Sequence, residues 1–529
     1  MSEIKRIAKR ASIVGGGTLI SRVLGYARDA VIASYFGAGL ASDAFFVAFR
    51  IANLLRRLVG EGALTSSFVP VFTEMLIRRT KEEANKFLYG FFTLFFFIVV
   101  ALTALGILAS EKLVLLMSPG FSAIPEKFAL AVNLTAMMFP YMIFIGLMAI
   151  AMGALNSLKH FTVPAVAPAF FNAAIIFCVF FVTPFFKEPV YAVAVGVLLG
   201  GFLQFIVHLP VLAKYGMFPR PSFYFTDAAT LKIFRLMGFS AIGLGVYQVN
   251  IFVTTAFAST LSEGSVSYLY YASRLMELPL GMFGVAFMQA VLPSLSEYAV
   301  KNDYESFKTS LSFAIRMANF VSIPATVGLA ALAMPIIAAL FQRGEFSGTD
   351  ASETAFALYF YAVGIVPVAT SRILIAAFYS IKDTHTPVWI AAVAVIFNLL
   401  LCYLLIKPLG HGGLALATSA AAFVNLALLA VALRLKLGRL GIRDIILSTV
   451  KSLAASFVMG AVIYSATIYG LTEGFGSKMT AAVIFILIVV GAAIYIAVCM
   501  ALNAKEFAFF KEILQEKFFK KRQNARSIE

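Results

Sequence analysis

Apolar runs of about twenty residues, separated by short polar stretches, recur along the whole chain. Fourteen such runs are centred near residues 24, 58, 98, 142, 171, 202, 247, 281, 322, 365, 397, 423, 458 and 490. Each is long enough to cross a hydrocarbon core as a helix, and hydrocarbon offers backbone N–H and C=O groups no partner outside their own segment. The pattern predicts an all-α polytopic membrane protein with 14 transmembrane helices and no room for a soluble domain.

The chain also repeats itself. FVPVFTE (68–74) aligns with VLPSLSE (291–297), and ALNSLKHFTVP (154–164) aligns with AFYSIKDTHTP (377–387). Pro70 and Pro293, Glu74 and Glu297, Ser157 and Ser380, Lys159 and Lys382, and Pro164 and Pro387 are all 223 residues apart. One register therefore holds across two distant segments. A repeat of six helices, an even number, has to be parallel, with its pseudo-twofold axis along the membrane normal and a substrate cavity between the halves. The expected organisation is a first lobe over residues 1–213 (helices 1–6), a second over 214–436 (helices 7–12), two extra apolar helices in 437–503, and a basic tail over 504–529.

Composition agrees, with 61% hydrophobic residues, 13% charged residues and a mean hydropathy of +0.92. The net charge of +16 reflects topology. When the loops are sorted into the two sides that fourteen spans create, 27 lysines and arginines fall on the side of the termini and 6 on the other. That bias places both termini in the cytoplasm and makes a nucleic-acid partner unnecessary. The basic N-terminus, MSEIKRIAKRASIVGGG, lacks the short apolar core and cleavage site of a signal peptide and is read as uncleaved. Cys178, Cys402 and Cys499 lie in three different apolar runs, as small buried hydrophobes.

The remaining charges lie inside the spans, where an arginine at the centre of a lipid-facing helix costs roughly 2.5–3.5 kcal/mol. Arg316, Arg372 and Lys451 sit near span ends, where long side chains reach the interface. The others gather in three helices: Arg22, Arg28 and Asp29 in the first, Asp43, Arg50, Arg56, Arg57 and Glu61 in the second, Arg274 and Glu277 in the eighth. Asp43, Arg50, Arg57 and Glu61 share one face of a helix, and Arg56 points away from it. Arg22 and Arg28 lie about 120° apart on an ideal helix unless Gly25 lets it bend. Arg274 and Glu277, at i and i+3, suit a local ion pair. Guanidinium forks match phosphate oxygens and stay charged at any physiological pH, so a cluster of them points to an anionic, phosphorylated substrate, whereas salt bridges between helices are the plainer reading.

Two stretches carry a family resemblance. SRVLGYARDAVIASYFGAGLASDAFFVAFRIANLLRRLVGEGALTSSFVPVF (21–72) and YASRLMELPLGMFGVAFMQAVLPSLSEYA (271–299) closely resemble the bacterial MurJ (MviN) family of lipid II flippases, within the multidrug/oligosaccharidyl-lipid/polysaccharide exporter superfamily. The resemblance implies two six-helix lobes, a groove at helices 13 and 14 for the polyprenyl tail, and alternating access that carries lipid II from the cytoplasmic to the outer leaflet. It matches the family's critical arginines to Arg22, Arg28, Arg56 and Arg274, its acidic position to Asp43 and a usually basic position to Arg50, and all six are expected to bind the substrate. The family's GEGA segment matches Gly60, Glu61, Gly62 and Ala63, whose glycines permit a bend or close helix packing. Asp29, Gly25, Glu61 and Glu277 fall to conformational or packing roles.

The implied partners are lipid II and membrane lipids, with a monomeric protein. No bond is made or broken, so no enzyme, metal or cofactor is expected. The four histidines, His160, His208, His385 and His411, show no ligand spacing. Residues 236–259 and 388–406 contain no carboxylate for a sodium site, although Asn250 and Asn398 are present. The membrane potential, worth about 2.3 kcal/mol per unit charge at 100 mV, is the simpler drive, with a monovalent cation as the alternative. Competing readings are a multidrug exporter of the same superfamily, disfavoured by the basic excess, a flippase for another undecaprenyl-pyrophosphate saccharide, and a membrane glycan polymerase, disfavoured by short outer loops poor in acids and bases.

Overall fold

The structure, a computed structural model, describes residues 3–56, 63–225, 227–281, 285–471 and 477–507. Every regular element among them is helical. The first ten α-helices are α1 (Glu3–Phe36), α2 (Leu40–Leu55), α3 (Ala63–Arg78), α4 (Lys81–Leu108), α5 (Ser110–Met117), α6 (Pro125–Met138), α7 (Tyr141–Ser157), α8 (Thr162–Phe181), α9 (Tyr191–Ile206) and α10 (Leu209–Lys214). Five more follow: α11 (Ala228–Ala258), α12 (Ser265–Pro279), α13 (Val285–Val300), α14 (Tyr304–Ala331) and α15 (Ala333–Phe341). The chain then forms α16 (Gly348–Val363), α17 (Ile365–Ser380), α18 (His385–Leu437), α19 (Ile442–Ile468) and α20 (Ser477–Ala501).

Nine helical stretches among the described residues are long and apolar enough to cross a membrane, and they make this a multi-pass membrane protein. Five of the fourteen expected spans are not counted separately among these nine. The α1, α2–α3, α11 and α12–α13 segments are not among them, and the 53-residue α18 counts once. Pro408 and Gly410 (φ 53°, ψ −133°) break α18. Proline removes a helical N–H, and this backbone conformation is open only to glycine.

Helix starts echo the sequence repeat. Lys81, Ser110, Pro125 and Thr162 begin helices, and 223 residues later so do Tyr304, Ala333, Gly348 and His385. Thr80 caps α4 in a capping box with Glu83, and Asp303 caps α14. The turn after α7 has Lys159 at φ 62°, with the N–H of His160 donating to the Leu155 carbonyl at 2.8 Å. The turn after α17 has Lys382 at φ 62°, with the N–H of Asp383 donating to the Phe378 carbonyl at 3.0 Å. Both are left-handed C-caps built with lysine where glycine is usual. Burial pushes the Asp383 carboxyl up, but hydrogen bonds from Lys436 and Thr386, with the charge of Lys436, bring it down to about 2.

The chain forms two compact units, Met1–Ser267 with Phe341–Asp350, and Tyr268–Leu340 with Ala351–Glu529. In the first, α8 packs on α1 and α9, α2 on α6, α7 on α3, α4 and α9, and α11 on α3. Its core is aromatic, with Phe68, Phe72, Phe87, Phe91 and Phe95 stacked ring against ring. In the second unit, α14 packs on α17 and α19, α17 on α13 and α18, and α19 on α20. Here Tyr495 hydroxyl donates to the Phe320 carbonyl at 2.7 Å, fastening α20 to α14. Outward faces stay apolar: Phe97, Leu105 and Leu108 on α4, Phe457 and Ile468 on α19 and Phe485 on α20 are all exposed, as a surface against acyl chains requires.

The turn between α1 and α2 depends on Gly37, at φ 59°. A Cβ there would lie 2.6 Å from the Glu345 carbonyl oxygen, and the Glu345 N–H donates to the Ser34 carbonyl at 2.9 Å. Gly37→Ala is expected to cost about 1–2 kcal/mol from the left-handed backbone alone, before the contact is counted. A thermal unfolding scan in detergent checks this as a lowered midpoint.

Candidate functional site: charges inside the membrane

α1 runs as one helix through the buried Gly25, so Arg22 and Arg28 leave it on different sides. Arg28 is 6% exposed, and Asp29 beside it is fully buried. Helix neighbours point about 100° apart, so the arginine side chain has to fold back to reach this partner. Its Nε and Nη2 donate to Asp29 Oδ1 at 3.0 and 2.6 Å, and its Nη1 donates to Asn172 Oδ1 of α8 at 3.1 Å. Asn172 Nδ2 in turn donates to the Ser21 carbonyl at 3.0 Å, tying α8 to α1 one helical stretch before Arg28. The Phe49 ring of α2 lies 5.8 Å from the guanidinium carbon. Arg22 is half-buried, with no hydrogen-bond or ion-pair partner among the described residues.

On α2, Asp43 and Arg50 are seven residues apart and share a face, and both reach residues 255–267. Arg50 Nη1 donates to Thr255 Oγ1 of α11 at 2.5 Å. Asp43, 1% exposed, accepts from the N–H groups of Gly264 and Ser267 at 2.9 Å and from the Ser267 hydroxyl at 2.6 Å. The last two contacts place a carboxylate at the first turn of α12, where the helix dipole favours negative charge. Lys127 of α6, 3% exposed, completes the shell with Nζ 2.7 Å from Asp43 Oδ2 and 4.5 Å from the Phe121 ring centre. Arg56 Nε donates to Asn53 Oδ1 at 2.6 Å. Arg57, Gly60, Glu61 and Gly62 lie outside the described residues, as does the side chain of Ala63.

In the second unit, Arg274 and Glu277 of α12 form the i, i+3 pair at 3.4 Å, partly exposed and so worth little by itself. The three basic residues placed at span ends are held by partners in this unit. Arg372 Nη1 donates to the Leu280 carbonyl at 3.0 Å, just past α12. Arg316 lies 3.3 Å from Glu506, itself 3% exposed, and Lys451 donates to the Asn503 carbonyl at 3.0 Å.

Two participants escaped the sequence reading. Lys127 is one of the six basic residues that the sequence assigns to the side away from the termini, and the structure buries it in α6 beside Asp43. Asn172 could have been suspected as the lone amide in the apolar run TVPAVAPAFFNAAIIFCVFF.

Chemically, α1 and α2 carry guanidinium groups within an apolar scaffold, and guanidinium forks suit an anion. The model of the family described as "Lipid II flippase MurJ" matches residues 32–486. The chain belongs to this family. A "Probable lipid II flippase MurJ" of Vibrio cholerae serotype O1 is 36% identical over 513 residues, covering 95% of this chain and 97% of that protein. A "Lipid II flippase MurJ" of Burkholderia cenocepacia is 37% identical over 425 residues, covering 80% and 82%. A solved structure, "Lipid II flippase MurJ, inward closed conformation", superposes with a TM-score of 0.77 at 29% identity, covering 95% and 99%. An inward-facing multidrug resistance MATE transporter of the MOP superfamily shares the fold, with a TM-score of 0.65 at 16% identity over 79% of this chain and 95% of that one. The family is one of transporters, and the all-helical membrane fold of this member is theirs.

Proposed function

We propose that this protein flips lipid II, an undecaprenyl-pyrophosphate disaccharide pentapeptide, from the cytoplasmic to the outer leaflet of the bacterial cytoplasmic membrane by alternating access. The observation that carries the reading is Arg22, a half-buried guanidinium in an apolar helix with no anionic partner among the described residues. A pyrophosphate supplies that partner, and a fork geometry binds it with two parallel hydrogen bonds. Arg28, Arg50, Arg56 and Arg274 join it in holding the headgroup. Asp43, already engaged by Lys127 and α12, serves from one layer back by fixing α2, which carries Arg50 and Arg56. Gly25, Asp29 and Glu277, with Gly60, Glu61 and Gly62, have conformational or packing roles.

The fourteen-span topology and the parallel repeat belong to the same proposal. A 53-residue α18 is about 80 Å long, too long for one crossing, and its break at Gly410 supports two. The shared 223-residue offset of four helix starts and of the two lysine C-caps supports equivalent halves, 1–213 and 214–436. The apolar outer faces of α19 and α20 support a groove for the polyprenyl tail in 437–503. The 27-to-6 distribution of basic residues supports cytoplasmic termini. The protein works as a monomer without a cofactor, driven by the membrane potential or a monovalent cation.

The test is complementation of a bacterium depleted of its own lipid II flippase. Expression of this chain is expected to restore growth and the appearance of lipid II in the outer leaflet. A correctly inserted chain that leaves the cells arrested would move the assignment to another undecaprenyl-pyrophosphate saccharide.

A further inference from the structure

The linker between α10 and α11 does not hang free in solution. It runs back along α4, where Asn85 Nδ2 donates to the Gly216 carbonyl at 2.9 Å and the Ser222 N–H donates to Thr93 Oγ1 at 3.0 Å. Lys86 Nζ sits 4.4 Å above the Tyr224 ring, and Gly90 leaves room for the Tyr224 carbonyl. Asp227 then closes the excursion by pairing with Arg79. Thr93 is twelve residues past the start of α4, about 18 Å along its axis, so residues 219–223 lie against the apolar part of that helix.

At that depth lies a cavity of about 310 Å³ between α4, α7 and α9, lined by Phe92, Phe96, Phe97, Leu147, Phe205 and Arg220. Phe96 and Phe97 are exposed, on the apolar face that α4 turns outward. Arg220 is exposed at the rim and has no ion-pair partner among the described residues. An aromatic groove opening to acyl chains, with a lone guanidinium above it, matches one molecular shape: an apolar chain below and a phosphate above.

We propose that this groove binds an anionic phospholipid of the cytoplasmic leaflet, its phosphate on Arg220 and one acyl chain against Phe96 and Phe97. The cytoplasmic leaflet is the anionic one, and the linker lies on the basic, cytoplasmic side of the chain. The site is separate from the arginines of α1 and α2, and the inference rests on the proposed cytoplasmic orientation but not on the substrate assignment.

The test uses native mass spectrometry of the full chain in mild detergent, titrated with dioleoyl-phosphatidylglycerol or dioleoyl-phosphatidylcholine. Wild type is expected to bind phosphatidylglycerol in preference to phosphatidylcholine. Arg220→Gln is expected to weaken phosphatidylglycerol about fivefold, the weight of one cation near an anionic surface, and to lose the preference. Arg220→Lys should keep it, and Phe97→Ala should weaken both lipids alike. Excess inorganic phosphate should not displace the lipid. Unchanged lipid preference in Arg220→Gln, or displacement by phosphate, overturns the proposal.

Discussion

Arg28→Ala is expected to abolish rescue of a lipid II flippase-depleted bacterium. It also strands Asp29, fully buried beside it, without the two hydrogen bonds that Nε and Nη2 supply. Removing one partner of a buried pair costs about 3–5 kcal/mol, so loss of activity by itself would not separate function from folding. The double variant Arg28→Ala/Asp29→Asn removes the stranded charge and is expected to recover most of the thermal midpoint in detergent. If that variant is stable and inserted yet still fails to rescue growth, the guanidinium is needed by the substrate. If it rescues, Arg28 serves only to neutralise Asp29, and the pyrophosphate site has to be drawn without it.

Asp43→Asn is expected to be nearly as damaging, for a different physical reason. It leaves Lys127, 3% exposed, without its counter-charge, and it weakens the negative end that the first turn of α12 receives from α2. The expected loss is again about 3–5 kcal/mol, read as a lowered unfolding midpoint. Asp43→Asn/Lys127→Met, which discharges both partners, should recover a large part of it. Recovery of stability without recovery of growth would assign Asp43 to fastening the start of α12 during transport. Recovery of neither would mean that the Gly264 and Ser267 contacts, more than the lysine, carry its role.

Much of the architecture was legible in the chain. Twenty-residue apolar runs force helices because lipid cannot satisfy a backbone, and the 223-residue spacing of the sequence repeat recurs in the spacing of four helix starts. The concentration of arginines in the first, second and eighth spans was equally visible, since each is an exception to an apolar background. Helix starts at Tyr304 and His385 and the lysine-built turn at Lys382 lie 223 residues after those at Lys81, Thr162 and Lys159.

What each charge does was not legible, because partners in space are not neighbours in sequence. Asn172 lies 144 residues from Arg28, and Lys127 lies 84 residues from Asp43. Arg316 and Arg372 read as interfacial by their distance from span ends, yet the folded chain gives one a buried glutamate and the other the Leu280 carbonyl. The sequence by itself determined that this is a helical membrane protein that keeps arginines inside its spans, since hydropathy and charge act locally. Only the tertiary structure decided that Arg28 is held by Asp29 and Asn172 while Arg22 has no such partner among the described residues, because the energy of a buried charge is set by what packs against it.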